Sequence, residues 1–168
     1  MIILYLDMDG VLADFNKAYS AYNPTKEDRI RFRDSVMTYR IFEDLDKMPD
    51  TDILLDRVAK IPNLRIEILT SMGTFNVDQG KEAKRQKLLW LERHNITYNA
   101  NFVRTKTEKS QYATEKSILI DDSVGCIDPF NKKGGLGILH TSARDSLEQL
   151  HQAITLISGV HALRRVAL

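Results

Sequence analysis

The sequence predicts an α/β fold: an open parallel sheet with helices packed on it. Three observations predict it. Short apolar runs of strand length alternate with helical patterns along the chain. The runs are short and largely apolar, which fits strands covered on both faces. Three of them end in acidic or hydroxyl residues, and open α/β sheets place their sites beyond the carboxyl ends of the strands. The arrangement is Rossmann-like.

The elements follow in order. Ile2 to Leu6 is the first strand and ends in Asp7. Residues 16 to 48 break the rhythm: they are polar, with a turn at Asn23-Pro24 and a helical stretch from about Lys26 to Ile41. We read them as a small helical cap inserted after the first strand, with an ordinary long first crossover as the competing reading. The core is then residues 1–15 and 49–168, and the cap 16–48. Residues 50 to 61 open on the capping candidates Asp50 and Thr51 and repeat Ile53, Leu54, Val58 and Ile61 at helical spacing. Leu64 to Leu69 is the second strand, ending in Thr70 and Ser71. Residues 80 to 94 form a helix with Lys84, Lys87, Leu88 and Leu91 along one face, the run Lys81 to Lys87 being mostly a solvated face. Asn101 to Arg104 is a weak third strand, and Ser117 to Ile120 a fourth, ending in Asp121 and Asp122. Gly134 and Gly135 turn the chain into the fifth, Leu136 to Leu139. Residues 145 to 157 close the pattern as a helix carrying Leu147, Leu150, Ala153, Ile154 and Ile157.

Composition narrows the function classes. A length of 168 residues suits one domain with a small insertion, and 43% hydrophobic with 28% charged residues is ordinary for a globular chain. A formal net charge of +1 gives no bulk attraction to nucleic acid or membrane, although a local basic patch would still admit nucleic acid. One cysteine, Cys126, allows no disulfide within the chain and fits a reducing, cytoplasmic setting. No apolar run reaches the ~18 residues of a membrane span. The opening MIILYLDMDG lacks the basic region and cleavage site of a signal peptide.

The acidic strand ends carry the chemistry. Asp7 and Asp9 lie two apart, so an extended chain points both to one side. Gly10 follows, free to adopt backbone conformations that other residues resist. Asp121 and Asp122 end another strand. So many carboxylates in one place demand protons or a cation, and Mg²⁺ with its hard oxygen ligands suits a site beside a phosphate. A strand ending in D-x-D-G is by itself also compatible with a solvated acidic turn. The joint order of D-x-D-G-V, then T-S, then lysines, then D-D is far more specific.

These residues resemble a known family. LDMDGVLADF at 6–15 is similar to the first motif of haloacid dehalogenase-type phosphatases, and its ending looks like the 5'(3')-deoxyribonucleotidase branch. IFEDLDKMPDT at 41–51 is similar to that branch's entry from cap to core, and ILTS at 68–71 to the second motif. KLLWLERH at 87–94 resembles the branch's K-x-x-W-V-E-x-H helix, VRTKT at 103–107 its T-R-D-K-T, and LIDD at 119–122 the last motif. The resemblance spans most of residues 1–141. The cap is shorter than in the animal enzymes, MGTFNVDQG after Ser71 departs from their pattern, and Arg104-Thr105 replaces the usual order before the lysine. These departures touch substrate choice more than chemistry.

The resemblance implies a Mg²⁺-dependent phosphatase on this fold, acting on a small phosphate monoester, in this branch a deoxynucleoside monophosphate. Asp7 is the expected nucleophile, and Asp9 the general acid and then base, with its main-chain carbonyl a metal ligand. Asp7, Asp9 and Asp122 form the expected metal set, and Asp121 orients the site or a lysine. Thr70 holds the phosphate and Ser71 assists. Lys106, carried over from T-R-D-K-T, is the expected phosphate-binding cation, with Lys87 second. Phe15 either walls the base or sugar pocket or is core. Trp90 and Cys126 read as packing residues, and His94 and His140 carry no ligand-like spacing. A polynucleotide 3'-phosphatase shares D-x-D-G and D-D but wants a basic groove. A silent binding domain on the same fold would not need the full set of acids.

Overall fold

The five predicted strand segments, the weak third included, become the five strands of one parallel sheet. The computed structural model describes residues 1–22 and 25–166. The Asn23-Pro24 turn read from the sequence lies outside the described residues, as do 167 and 168. The strands are β1 (Ile2–Leu6), β2 (Leu64–Ser71), β3 (Asn99–Val103), β4 (Ser117–Asp121) and β5 (Leu136–Leu139), in the order β3-β2-β1-β4-β5. β1 therefore sits at the centre, with both neighbours parallel to it. Leu6 pairs with Ile68 of β2 and with Ile120 of β4, and Asp7 N donates to Ile120 O at 3.0 Å. This register brings Asp7, Thr70 and Asp121 out together at one carboxyl edge.

Strand residues alternate between the two faces, and each face has its own core. Leu4, Leu6, Ile118 and Ile120 enter the larger cluster, with Leu54, Val58, Trp90, Leu91, Leu150 and Ile157 from the helices. Tyr5, Leu69 and Leu119 enter the smaller one, with Cys126, Ile127 and Phe130. The helices are α1 (Phe15–Ala21), α2 (Asp28–Met37), α3 (Thr51–Ala59), α4 (Val77–Arg93), α5 (Val124–Lys132) and α6 (Ala143–Val166), with short 3-10 helices at Ile41–Glu43 and Lys106–Tyr112. Among the described residues no helix is long and apolar enough to cross a membrane.

Local chemistry moves several boundaries from those the sequence predicts. The helix expected to run to Ile41 stops at Met37, because Arg40 takes a left-handed φ of 53° that no right-handed helix continues through. α4 starts at Val77, capped by Asn76, whose side chain accepts from Gln79 N at 2.9 Å. Asp50 occupies the N-cap position of α3, but its carboxylate accepts from Ala143 N and so ties α6 to α3. Thr51 Oγ1 donates to Leu12 O at 2.8 Å, fastening α3 to the turn after β1.

Residues between α1 and α3 are bolted to α4. Gln86 Nε2 donates to Val36 O at 2.8 Å, and Gln86 Oε1 accepts from Phe42 N at 3.2 Å. Trp90 Nε1 donates to Leu45 O at 2.8 Å, and Arg93 Nη1 to Glu43 O at 2.7 Å. Each bond satisfies a backbone group that would otherwise be stranded in a partly dry interface.

Candidate active site

Asp7 lies just past the end of β1 and is 6% exposed. Its Oδ1 accepts from Met8 N at 2.7 Å and lies 2.8 Å from Lys109 Nζ. Lys109 also donates to Asp121 Oδ2 at 2.6 Å, and Asp121 Oδ1 accepts from Ser123 N at 2.9 Å. Lys109 and Asp121 are both buried. A lone buried charge is untenable in such a place, so the lysine and the two acids stabilise one another. Burial would lower the Lys109 pKa, but Asp7 and Asp121 outweigh it and raise it. Burial, then the charge of Asp7, pushes Asp121 up to about 6 against the pull of Lys109.

Asp122 follows Asp121; the residue as a whole is exposed, but its carboxylate turns in towards Asp7 and Asp121. It too is raised, by burial of its carboxyl and then by Asp7. One carboxylate oxygen each of Asp7, Asp121 and Asp122 lie within 4.8 Å of one another. Gly10 makes this approach possible. Its φ is +78°, and a Cβ there would come 2.1 Å from Asp122 Oδ2. Three clustered carboxylates, two of them raised by burial and mutual repulsion, are the donor set a hard cation prefers. The residues thus fit a metal ion, with Asp121 a member of the cluster beside the expected Asp7 and Asp122.

A second lysine stands across the site. Lys87, fully buried on α4, donates to Asp9 Oδ2 at 2.6 Å and to Thr70 Oγ1 at 2.9 Å. Asp9 Oδ1 is buried without a hydrogen-bond partner. Burial raises the Asp9 pKa, Lys87 opposes this and Asp7 adds to it. A raised carboxyl with one free oxygen is equipped to give and take a proton. Ser71 turns aside: its Oγ donates to Arg104 O at 3.3 Å and accepts from Gly73 N at 3.0 Å, shaping the turn after β2.

Lys106 is exposed, its Nζ 3.5 Å from Ser123 Oγ, and it lines the mouth of the site rather than its floor. The floor lysine, Lys109, was not singled out from the sequence. The signal for it was the spacing K-T-E-K at 106–109: in a 3-10 helix residues three apart share a face, so both lysines turn towards the strand ends. Phe15 stacks between Tyr19 (centroids 5.1 Å apart) and Phe42 (5.3 Å), inside an aromatic cluster. Trp90 is core, and burial pushes the Cys126 thiol up to about 12, so both serve as packing groups.

Two cavities open at this edge. An inner one of about 360 Å³ is lined by Asp9, Phe32, Phe42, Ser71 and Lys106. An outer one of about 870 Å³ lies between α1, α2 and the turn after β2, with Tyr19, Phe32, Arg33, Phe75 and Asn76 in its walls. Phe32 and Gly73 border both. The outer volume is within the range of small-molecule sites, roughly 300–1,000 Å³.

No family model and no curated protein matches this chain. Among solved structures it is similar to the D,D-heptose 1,7-bisphosphate phosphatase from Burkholderia thailandensis, with a TM-score of 0.55 and 12% identity over 89% of this chain and 99% of that one. It is also similar to a hydrolase from Streptococcus pneumoniae TIGR4, with a TM-score of 0.50 and 16% identity over 89% of this chain and 97% of that one. At such identities the likeness is one of fold: the chain shares with these proteins the five-stranded parallel α/β sheet flanked by helices.

Proposed function

We propose that this protein is a Mg²⁺-dependent phosphomonoester hydrolase that works through an aspartyl-phosphate on Asp7, with deoxynucleoside monophosphates its favoured substrates. One observation carries the reading: Asp7, at the central strand end, is paired with buried Lys109, while Asp9, two residues on, keeps one buried oxygen without a partner. Each carboxylate has a buried lysine beside it, and Asp9, raised by burial, keeps one oxygen free to carry the proton.

Asp7 Oδ1 is engaged by Met8 N and Lys109, so Oδ2 is the oxygen that attacks phosphorus. The bond from phosphorus to the leaving oxygen breaks, and Asp9 gives that oxygen its proton. Asp9 then takes a proton from water as the water attacks the phosphorus of the aspartyl-phosphate. The bond to Asp7 breaks, and inorganic phosphate departs. Lys109 and Lys87 flank the transferring group, Thr70 donates to it, and Lys106 draws the anion in at the rim. Asp7, Asp122 and the Asp9 main-chain carbonyl, beside Asp121, would hold a Mg²⁺ ion, which would supply positive charge against the phosphate oxygens. Selectivity falls to residues 16–48 and the turn after Ser71, whose Tyr19, Phe32 and Phe75 give flat walls suited to a planar leaving group.

The metal is tested first. EDTA should abolish phosphate release and Mg²⁺ restore it. Stability adds a readout that needs no substrate. Because Asp121 is raised from 3.8 to about 6, the native state holds a proton that the unfolded chain has released across that window. The metal-free native state therefore loses stability as pH rises through it, while cation binding tightens. The rise in melting temperature on adding Mg²⁺ should be larger at about pH 7.5 than at about pH 5. Full activity in EDTA, or a Mg²⁺ effect that ignores pH, contradicts the metal assignment.

The substrate is tested by comparing kcat/KM for dUMP and dTMP with glucose 6-phosphate and a 3'-phosphorylated oligonucleotide. The nucleotides should lead. A clear lead for the oligonucleotide replaces the reading with a polynucleotide phosphatase, and a lead for the sugar phosphate leaves the chemistry but removes the nucleotide.

A further inference from the structure

The Lys87 ammonium has three N–H bonds to place. It is fully buried, with Nζ 2.6 Å from Asp9 Oδ2 and 2.9 Å from Thr70 Oγ1. Those two contacts take two of the three. Its third contact is aromatic: Nζ stands 4.4 Å from the centroid of the Phe42 ring. The face of a phenyl ring is electron-rich, and it attracts a cation most where water is absent.

Phe42 is itself held in place. It is 1% exposed, and its N–H donates to Gln86 Oε1 at 3.2 Å, from the residue just before Lys87 on α4. Its ring stacks on Phe15 at 5.3 Å and 18°, and it borders the inner cavity beside Asp9. The ring therefore has little freedom to follow the ammonium; the ammonium is set by the ring. Without it, the short pair with Asp9 would draw the cation away from Thr70, and so away from the place where phosphate arrives.

We propose that Phe42 is a positioning residue for the reaction: its ring face holds the Lys87 ammonium between Asp9 and Thr70, so that an incoming phosphate meets a cation already in place. The proposal rests on the phosphatase reading, in which Lys87 flanks the transferred group. It also gives the segment after α2 a part in the chemistry beyond shaping the pocket.

The test alters the ring's charge distribution while nearly keeping its size. Phe42 is replaced by mono-, di- and trifluorophenylalanine in the full-length enzyme, fluorine draining the ring face stepwise. kcat/KM should fall with each step, by roughly tenfold across the series, while the protein stays folded at the assay temperature. Phe42→Tyr, which keeps an electron-rich ring, should hold most of the activity, whereas Phe42→Leu should lose it. NMR of protein with isotope-labelled lysine supplies a readout independent of turnover. The Lys87 ammonium protons should be displaced upfield by the ring current, and Phe42→Leu should remove the displacement. A flat series in an active enzyme, or an ammonium signal that Phe42→Leu leaves in place, overturns the proposal alone. If the wild type hydrolyses no monoester, the functional reading fails and the proposal falls with it.

Discussion

Asp7→Asn is expected to lower phosphate release by roughly a thousandfold or more while the fold survives. Asparagine keeps the size and shape of the side chain, so its Oδ1 can still accept from Met8 N, as Asp7 does at 2.7 Å. What it loses is the anionic oxygen that must bond to phosphorus. The rest of the site should tolerate the change. Lys109 keeps its 2.6 Å bond to Asp121, and one of three mutually repelling carboxylates has gone. Melting temperature should therefore move far less than turnover. Beryllium fluoride, which mimics a phosphorylated carboxylate, should inhibit the wild type and fail to protect the variant. A variant with even a tenth of the original turnover would place the nucleophile elsewhere.

Lys109→Met should do damage of a different kind, to stability and catalysis together. Methionine fills a similar volume but leaves Asp7 and Asp121 buried with no cation between them. Removing one partner of a buried pair costs about 3–5 kcal/mol, because the other charge stays behind unsolvated. Turnover should fall by roughly a hundredfold or more, since a cation fixed beside the nucleophile also faces the charge of the transferring group. Adding Asp7→Asn to Lys109→Met should recover part of the stability and none of the activity, which separates the two roles. Lys106→Ala, at the rim, should weaken substrate capture without unfolding the site, and Lys81→Ala should do neither. Equal losses at Lys106 and Lys81 would deny the rim lysine a role. Equal losses at Lys109 and Lys106 would mean that burial does not rank them.

The sheet was legible because its strands are short apolar runs, and because the chain marks its carboxyl edge with acids. Ile2 to Leu6 and Leu136 to Leu139 are strands over those same residues. β3 was harder, since its side chains mix polar and apolar. It begins at Asn99, two residues before the predicted start, because Asn99 and Asn101 both donate to the buried Glu67 carboxylate. A pattern of apolar residues cannot see a strand that satisfies itself with amides. On α4 the predicted face of Lys84, Lys87, Leu88 and Leu91 overlaps the buried one only at Lys87 and Leu91. The buried stripe runs through Ala83, Gln86, Lys87, Trp90 and Leu91, so Leu88 lies out in solvent. A buried glutamine and a buried lysine carry no hydrophobic signal, yet one fastens Phe42 and the other faces Asp9.

The acids of the site were legible one by one, and so was Lys87 beside Asp9, but Lys109 was not. Asp7, Asp9 and Asp122 follow strand ends and Asp121 closes β4, so topology brings them together at one edge of the sheet. Lys109 sits in a 3-10 segment with no apolar rhythm, and its burial is decided by the carboxylates it meets. The aromatic cluster of Phe15, Tyr19, Phe32 and Phe42 joins three separate elements, a tertiary fact without a local period.

The account stands on Asp7 becoming phosphorylated during turnover, and that intermediate can be trapped directly. The enzyme with Mg²⁺ is mixed with a radiolabelled phosphate monoester, quenched in acid within one turnover and digested. The label should appear on the peptide that carries Asp7, should be released by hydroxylamine as an acyl phosphate is, and should be absent from Asp7→Asn. Phosphate release with no labelled peptide, or a label on another residue, would contradict the assignment of Asp7 as the nucleophile.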